Sequence, residues 1–211
     1  MAIPMIDCYT WKTGNGRKAL LMLAECGLPH RIIPVDLSKG EHKTPEYTRI
    51  NPNQVIPAII DHNVRGGPLT LFESGAILLY LAEKSGKLLP AGGPERGTCY
   101  QWMFWHSATF VPSVISLHLM AQGRIPREPS QEQAARARAR VLYGMLETRL
   151  AQSAYLAGND YCVADVMMAP TLTRRGWHGI ELTDFPAVKR WYDGIVSRPA
   201  AAEAFSDTPL K

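Results

Sequence analysis

Cysteine is scarce in this chain: four among 211 residues, at Cys8, Cys26, Cys99 and Cys162. No C-x-x-C pair and no metal-ligand spacing occurs among them, which argues against a dithiol redox centre or a bound metal. Cys8 falls in an apolar run and Cys26 at a helix end, so both read as core, and a reducing cytosol is the expected compartment. Charge is also modest, at 20% of residues with a net +4, and it is scattered. That balance does not predict a nucleic-acid partner. The basic cluster Arg136, Arg138 and Arg140 lies on an alanine-rich helical pattern and reads as a solvated face. No apolar run approaches a membrane-spanning length, so no membrane partner is expected. The opening Met1-Ala2-Ile3-Pro4-Met5-Ile6-Asp7 lacks a basic region and a long apolar stretch, so no secretory leader is expected and the cytoplasm is the predicted location. Repeats and low-complexity tracts are missing too. What is present, 46% hydrophobic residues, suits a globular protein of one large domain or two small ones.

The first third alternates strand and helix patterns. Residues 5–10 read as a strand and 17–26 as a helix that stops at Gly27. Residues 30–36 form a second strand, in which Pro34 indicates a sheet edge. A polar loop over 38–53 precedes two short strands, 58–61 and 69–72, which make a hairpin before an apolar helix that ends near Gly86. This order predicts an α/β layer structure. Residues 88–97, rich in proline and glycine, read as a linker. Strand signals then disappear, and helices are expected over 98–121, 131–152, 163–173 and 187–198.

Three short elements carry chemistry. Thr13-Gly14-Asn15-Gly16-Arg17 lies where the first strand turns into a helix, so a hydroxyl, an amide and unpaired N–H groups converge there. Such a spot suits a small anion or a thiolate. Val55-Ile56-Pro57 is a candidate cis turn exposing the backbone of Ile56 for pairing with a peptide-like ligand; an ordinary trans proline is the alternative. In Phe72-Glu73-Ser74-Gly75, Ser74 reads as a helix N-cap, or together with Glu73 as a clamp for the two charges of an amino-acid head group. Tyr9 sits within the strand and reads as core, whereas Trp11 at the outer edge of the turn is a candidate pocket wall. Trp102, Trp105, His106 and Thr109 share one helical face, which reads either as core or as the lining of a cleft.

Together these elements describe a receptor for a thiol tripeptide, and the chain resembles the glutathione transferase family over nearly its whole length. The matching segments are Asn51-Pro52-Asn53-Gln54-Val55-Ile56-Pro57-Ala58, Leu71-Phe72-Glu73-Ser74-Gly75-Ala76-Ile77-Leu78-Leu79-Tyr80-Leu81 and Val163-Ala164-Asp165. The resemblance implies an α/β thioredoxin-like N-terminal domain (1–87) followed by an all-α C-terminal domain (98–211) that contributes an electrophile pocket. The Thr13 loop with Val35-Asp36-Leu37-Ser38-Lys39-Gly40 is most similar to the bacterial Nu class, whose members reduce disulfides with glutathione and no catalytic cysteine. By that resemblance Thr13 and Asn15 are the catalytic pair at the glutathione sulfur. His42, Ile56, Pro57, Glu73 and Ser74 bind the rest of the tripeptide, and Trp11, Trp102, Trp105, His106 and Thr109 form the electrophile pocket. Glutathione is then a co-substrate, and no metal is implied. Reduction of small disulfides is the leading activity, with conjugation to hydrophobic electrophiles or non-catalytic binding as alternatives, and a homodimer is implied. The sequence departs from the pattern at Cys162, a helix-cap position that usually carries Ser or Thr. It departs again where the Nu class has an arginine on the fifth helix, since Ala134 stands there with Arg136 nearby.

Overall fold

The computed structural model describes residues 5–206, so the reading of Met1 to Pro4 and the end of the expected helical domain, 207–211, lie outside the described residues. The chain divides into two compact units, one of residues 5–89 with 198–206, the other of residues 90–197.

In the first unit, strands β1 (Ile6–Thr10), β2 (His30–Pro34), β3 (Ala58–Asp61) and β4 (Leu69–Phe72) form one mixed sheet in the order β2-β1-β3-β4. β1 pairs parallel with β2 and antiparallel with β3, and β3 pairs antiparallel with β4. β2 is an edge strand, the position where Pro34 withholds no ladder bond from a second neighbour. Alternation along β1 turns Ile6, Cys8 and Thr10 toward one face and Tyr9 toward the other, where Tyr9 packs on Val35, Tyr47, Ile56 and Ala58. Helix α1 (Gly14–Cys26) buries Leu20, Leu21 and Leu23 and packs against α3 (Ser74–Ser85). Gly27 ends α1 in the left-handed conformation at φ 67, its N–H closing on the carbonyls of Leu23 and Ala24.

The stretch expected as a loop over 38–53 contains a 3-10 turn at Glu41–Lys43 and a short helix α2 (Pro45–Ile50). Thr44 caps α2 and Pro45 occupies its first turn, a Thr-Pro start signal that the loop reading passed over.

The second unit is helical: α4 (Gly93–Trp105), α5 (Val111–Ala121), α6 (Pro129–Gln152), α7 (Val163–Met168), α8 (Arg175–His178) and α9 (Pro186–Val196). α4 takes in the second half of the expected linker, with a proline in its first turn. A π-helical segment, His106–Phe110, joins α4 to α5 where one regular helix was expected. Cys162 caps α7, and the Asp165 carboxylate accepts from the Cys162 N–H, the Leu156 N–H and the Trp191 indole at 2.8–3.0 Å. The final helix α10 (Ala201–Phe205) corrects the expected second-domain span, because it packs on α1 in the first unit. Arg17 donates to the Ala204 carbonyl at 2.8 Å, Lys12 to that of Ser206 at 2.7 Å, and Arg198 pairs with Glu25 through both carboxylate oxygens.

Candidate functional site

The loop after β1 becomes a helix sooner than its sequence suggests. α1 starts at Gly14, not beyond Gly16, because Thr13 itself is the N-cap and its Oγ1 accepts from the Gly16 N–H at 3.1 Å. A hydroxyl that accepts at the cap still has its own proton to donate outward. The Gly14 and Asn15 N–H groups of the first turn are not taken by this cap. Asn15 lies at the exposed edge of the turn, and its Oδ1 accepts from Lys18 Nζ at 2.8 Å. Gly16 has no room for a side chain: a Cβ there would overlap the Trp11 carbonyl and stand 2.6 Å from Thr10 Oγ1. That close approach seats the first turn of α1 on the end of β1, which fixes where Thr13 and Asn15 point.

Tyr9 is half-buried, with its ring 6.1 Å from that of Tyr47. Burial, followed by the nearby Asp7 charge, holds its phenol above the ordinary range, so it remains protonated near neutrality. Trp11 is half-buried and packs on the same cluster of Val35, Tyr47, Ile56 and Ala58.

The Ile56–Pro57 peptide is cis, one of the two readings of the sequence. Tyr47 Oη and Asn51 Nδ2 both donate to the Val55 carbonyl, at 2.7 and 2.6 Å, and hold the turn from below. Ile56 precedes the β3 ladder, and no backbone bond is recorded for it among the described residues. Gln54, two residues earlier, has a left-handed backbone at φ 55 and donates through its amide to Thr48. Nothing in its residue type signalled that conformation. His42 lies in the 3-10 turn, with its Nδ1 buried and without a hydrogen-bond partner among the described residues.

The start of α3 differs from expectation. Glu73, not Ser74, is the N-cap residue, and Ser74 is the first helical residue. Glu73 sits at φ 70 and ψ 113, a sparsely populated conformation for a residue with a side chain, and it makes no side-chain cap. Ile77 N–H bonds the Glu73 carbonyl, so the N–H groups of Ser74, Gly75 and Ala76 remain at the helix end. The Glu73 carboxylate is exposed, and neither it nor the Ser74 hydroxyl has a hydrogen bond or ion pair among the described residues. An open carboxylate beside bare N–H groups provides one acceptor for a cation and one receptor for an anion, within adjacent residues.

In the helical unit, the face expected from regular spacing is interrupted by the π turn. Trp102 and His106 are buried, whereas Trp105 and Thr109 are half-buried. His106 Nε2 contacts Thr171 Oγ1 at 2.8 Å, which makes it a hydrogen-bonded core histidine. Trp105 stacks edge-on against Trp102 at 5.0 Å, and its indole N–H is buried without a partner among the described residues. The described residues hold no cluster suited to a metal ion and no helix long and apolar enough to cross a membrane. All four cysteines are free and buried.

Comparison with known proteins fits this geometry. The family model described as "Glutathione S-transferase, N-terminal domain" matches residues 15–84, and that described as "Glutathione S-transferase, C-terminal domain" matches 102–199. The Disulfide-bond oxidoreductase YfcG of Escherichia coli is 42% identical over 98% of this chain and 97% of its own length. A glutathione transferase family member from Pseudomonas fluorescens, solved with two glutathione bound, superposes with a TM-score of 0.89 at 32% identity, covering 97% of this chain and 94% of its own. A glutathione transferase from Pseudomonas putida, solved with one glutathione disulfide per subunit, superposes at 0.88 and 28% identity, covering 97% and 92%. With both of its parts matched and a relative of such identity spanning nearly its full length, the chain belongs to the glutathione S-transferase family.

Proposed function

We propose that this protein binds glutathione and its disulfide, and uses the bound thiolate to reduce small disulfides. The observation that carries the reading is the start of α1, where Thr13 Oγ1 accepts from Gly16 and keeps its own proton to donate. Asn15, its Oδ1 on Lys18, has its amide N–H groups left beside N–H groups that the cap does not take. Those donors suit a sulfur anion, and no cysteine of the chain is exposed to supply one. The thiol therefore arrives with the ligand. Glu73 then takes the ammonium of the γ-glutamyl end and Ser74 its carboxylate. Ile56, before Pro57, pairs with the tripeptide backbone, and the unmet Nδ1 of His42 serves the glycine end. Contacts for the second substrate are assigned to Trp11 and, in the helical unit, to Trp102, Trp105 and Thr109, with His106 supporting them from the core. Residues 1–87, with the returning α10, serve as the glutathione-binding domain and residues 98–197 as the helical domain. The protein works in the cytoplasm as a homodimer.

In chemical terms, glutathione at neutral pH is mostly thiol, whereas the thiolate is the nucleophile. Donors at the α1 start favour the ionised form, and each unit of thiol pKa is worth about 1.4 kcal/mol. The thiolate attacks one sulfur of the disulfide, forming a glutathione mixed disulfide and expelling a thiolate that takes up a proton. A second glutathione thiolate attacks the glutathione sulfur of that intermediate, giving glutathione disulfide and the second free thiol. Two glutathiones are oxidised as one disulfide is reduced. The protein supplies position and charge, with no covalent bond to the substrate.

The 42% identity to a disulfide-bond oxidoreductase favours reduction over conjugation. Turnover of hydroxyethyl disulfide should exceed that of a chloronitrobenzene, and Thr13→Ala should lower it about 10-fold or more, as for loss of one transition-state donor. Unchanged disulfide turnover in Thr13→Ala would refute the reading. Calorimetry with glutathione and its disulfide separates the non-catalytic alternative, since a relic of the fold would bind neither.

A further inference from the structure

Lys18 is the anomaly of the first unit. It stands in the first turns of α1 with 1% of its surface exposed, although lysine is among the residues least often buried without an ionic partner. No carboxylate pairs with it: its one bond among the described residues runs from Nζ to Asn15 Oδ1 at 2.8 Å. Burial draws its ammonium down from the usual lysine value to about 7, an expensive arrangement for a group that ties no two elements together. Its single partner belongs instead to the candidate sulfur site.

An asparagine side chain can present either its carbonyl or its N–H groups, and only the latter stabilise a thiolate. The Nζ of Lys18 faces the Asn15 oxygen, and its protonated form, which can only donate, holds that orientation. With Oδ1 held inward, both amide N–H groups of Asn15 face outward, and neither has a partner among the described residues. We propose that Lys18 is a positioning residue, which fixes the Asn15 amide from beneath so that its N–H groups meet the glutathione sulfur. This inference rests on the sulfur-site reading of Thr13 and Asn15, and goes beyond it by naming what orients the donor. Lys18 itself touches no reacting atom.

The test is a double-mutant cycle on the full chain, read by disulfide turnover and by the ultraviolet titration of bound glutathione. Lys18→Met keeps the straight stem and removes the donor, and circular dichroism checks that it folds. It should lower turnover roughly 10-fold and raise the bound thiol pKa by about one unit. In an Asn15→Ala background the same change should have no further effect, because residues acting as a unit are non-additive. Asn15→Asp probes the same link from the exposed end: it keeps an oxygen for Lys18 but offers no N–H, so the thiol pKa should rise as in Asn15→Ala. A wild-type thiol pKa in Lys18→Met or in Asn15→Asp would overturn the inference, as would fully multiplicative losses in the cycle. If Asn15→Ala alone left turnover and thiol pKa unchanged, the sulfur-site reading would fall, and the inference with it.

Discussion

Two helices of the first unit begin at the candidate site, and they begin in opposite ways. α1 is capped by its own Thr13, braced by Lys18 on Asn15, and seated by Gly16 against the end of β1. α3 starts uncapped from a residue at φ 70, with three N–H groups and a carboxylate open. The first is a nearly satisfied structure with a few donors to spare, which suits a soft, single-charged sulfur. The second is structurally incomplete until a ligand with both charges arrives. Folding alone explains much of the α1 start, but it does not explain the α3 start, where strain and unmet groups coincide.

The largest expected effect is Gly16→Ala. The added methyl must displace the Trp11 carbonyl or the helix, so stability should fall by about 3 kcal/mol in chemical denaturation. Disulfide turnover should fall further than the loss of folded protein accounts for, since Thr13 and Asn15 move with the turn. Next is Glu73→Gly, which separates strain from binding at α3. Relief of the left-handed backbone should stabilise the fold by about 1 kcal/mol, while loss of the charged contact weakens glutathione binding roughly 10- to 100-fold by calorimetry. Parallel changes in both quantities would mean that Glu73 is structural only.

Lys18→Met sharpens the α1 side through pH. The unfolded lysine titrates near 10.5 and the folded one near 7, so between those values the unfolded chain holds a proton that the native one lacks. Wild-type stability therefore rises with pH across that window, and the penalty of the buried charge is greatest below it. The substitution should raise the melting temperature by a few degrees at pH 6, as expected for roughly 1–2 kcal/mol, with the gain fading toward pH 10. The smallest effect concerns a helix start away from both. Cys162→Ser supplies a better acceptor at the α7 cap, and should add about 1 kcal/mol without altering turnover. The hydrogen bond that the Cys162 thiol donates to Cys99, 3.7 Å away, and then burial push the Cys162 thiol up.

Much of this fold is legible locally. Periodicity and turn residues place β3, β4 and α3, and Pro34 marks the edge strand correctly, because each signal lies within the element it defines. The candidate site is legible as a set of motifs but not in its detail. Whether Thr13 caps α1, or whether α3 starts at Ser74 after a Glu73 that makes no side-chain cap, depends on how each helix meets the sheet. Lys18 reads as exposed by residue type alone, although Leu21 and Met22 flank it on the helix, and only packing buries it. The π turn that offsets His106 and the return of α10 to α1 likewise depend on partners far away in the chain.

The most direct measurement is a crystal structure of the protein with glutathione. The tripeptide sulfur should lie within hydrogen-bond reach of the Thr13 hydroxyl and the Asn15 amide N–H, with its γ-glutamyl end at Glu73 and Ser74. A sulfur resting on Tyr9, or a tripeptide seated away from the two helix starts, would contradict it.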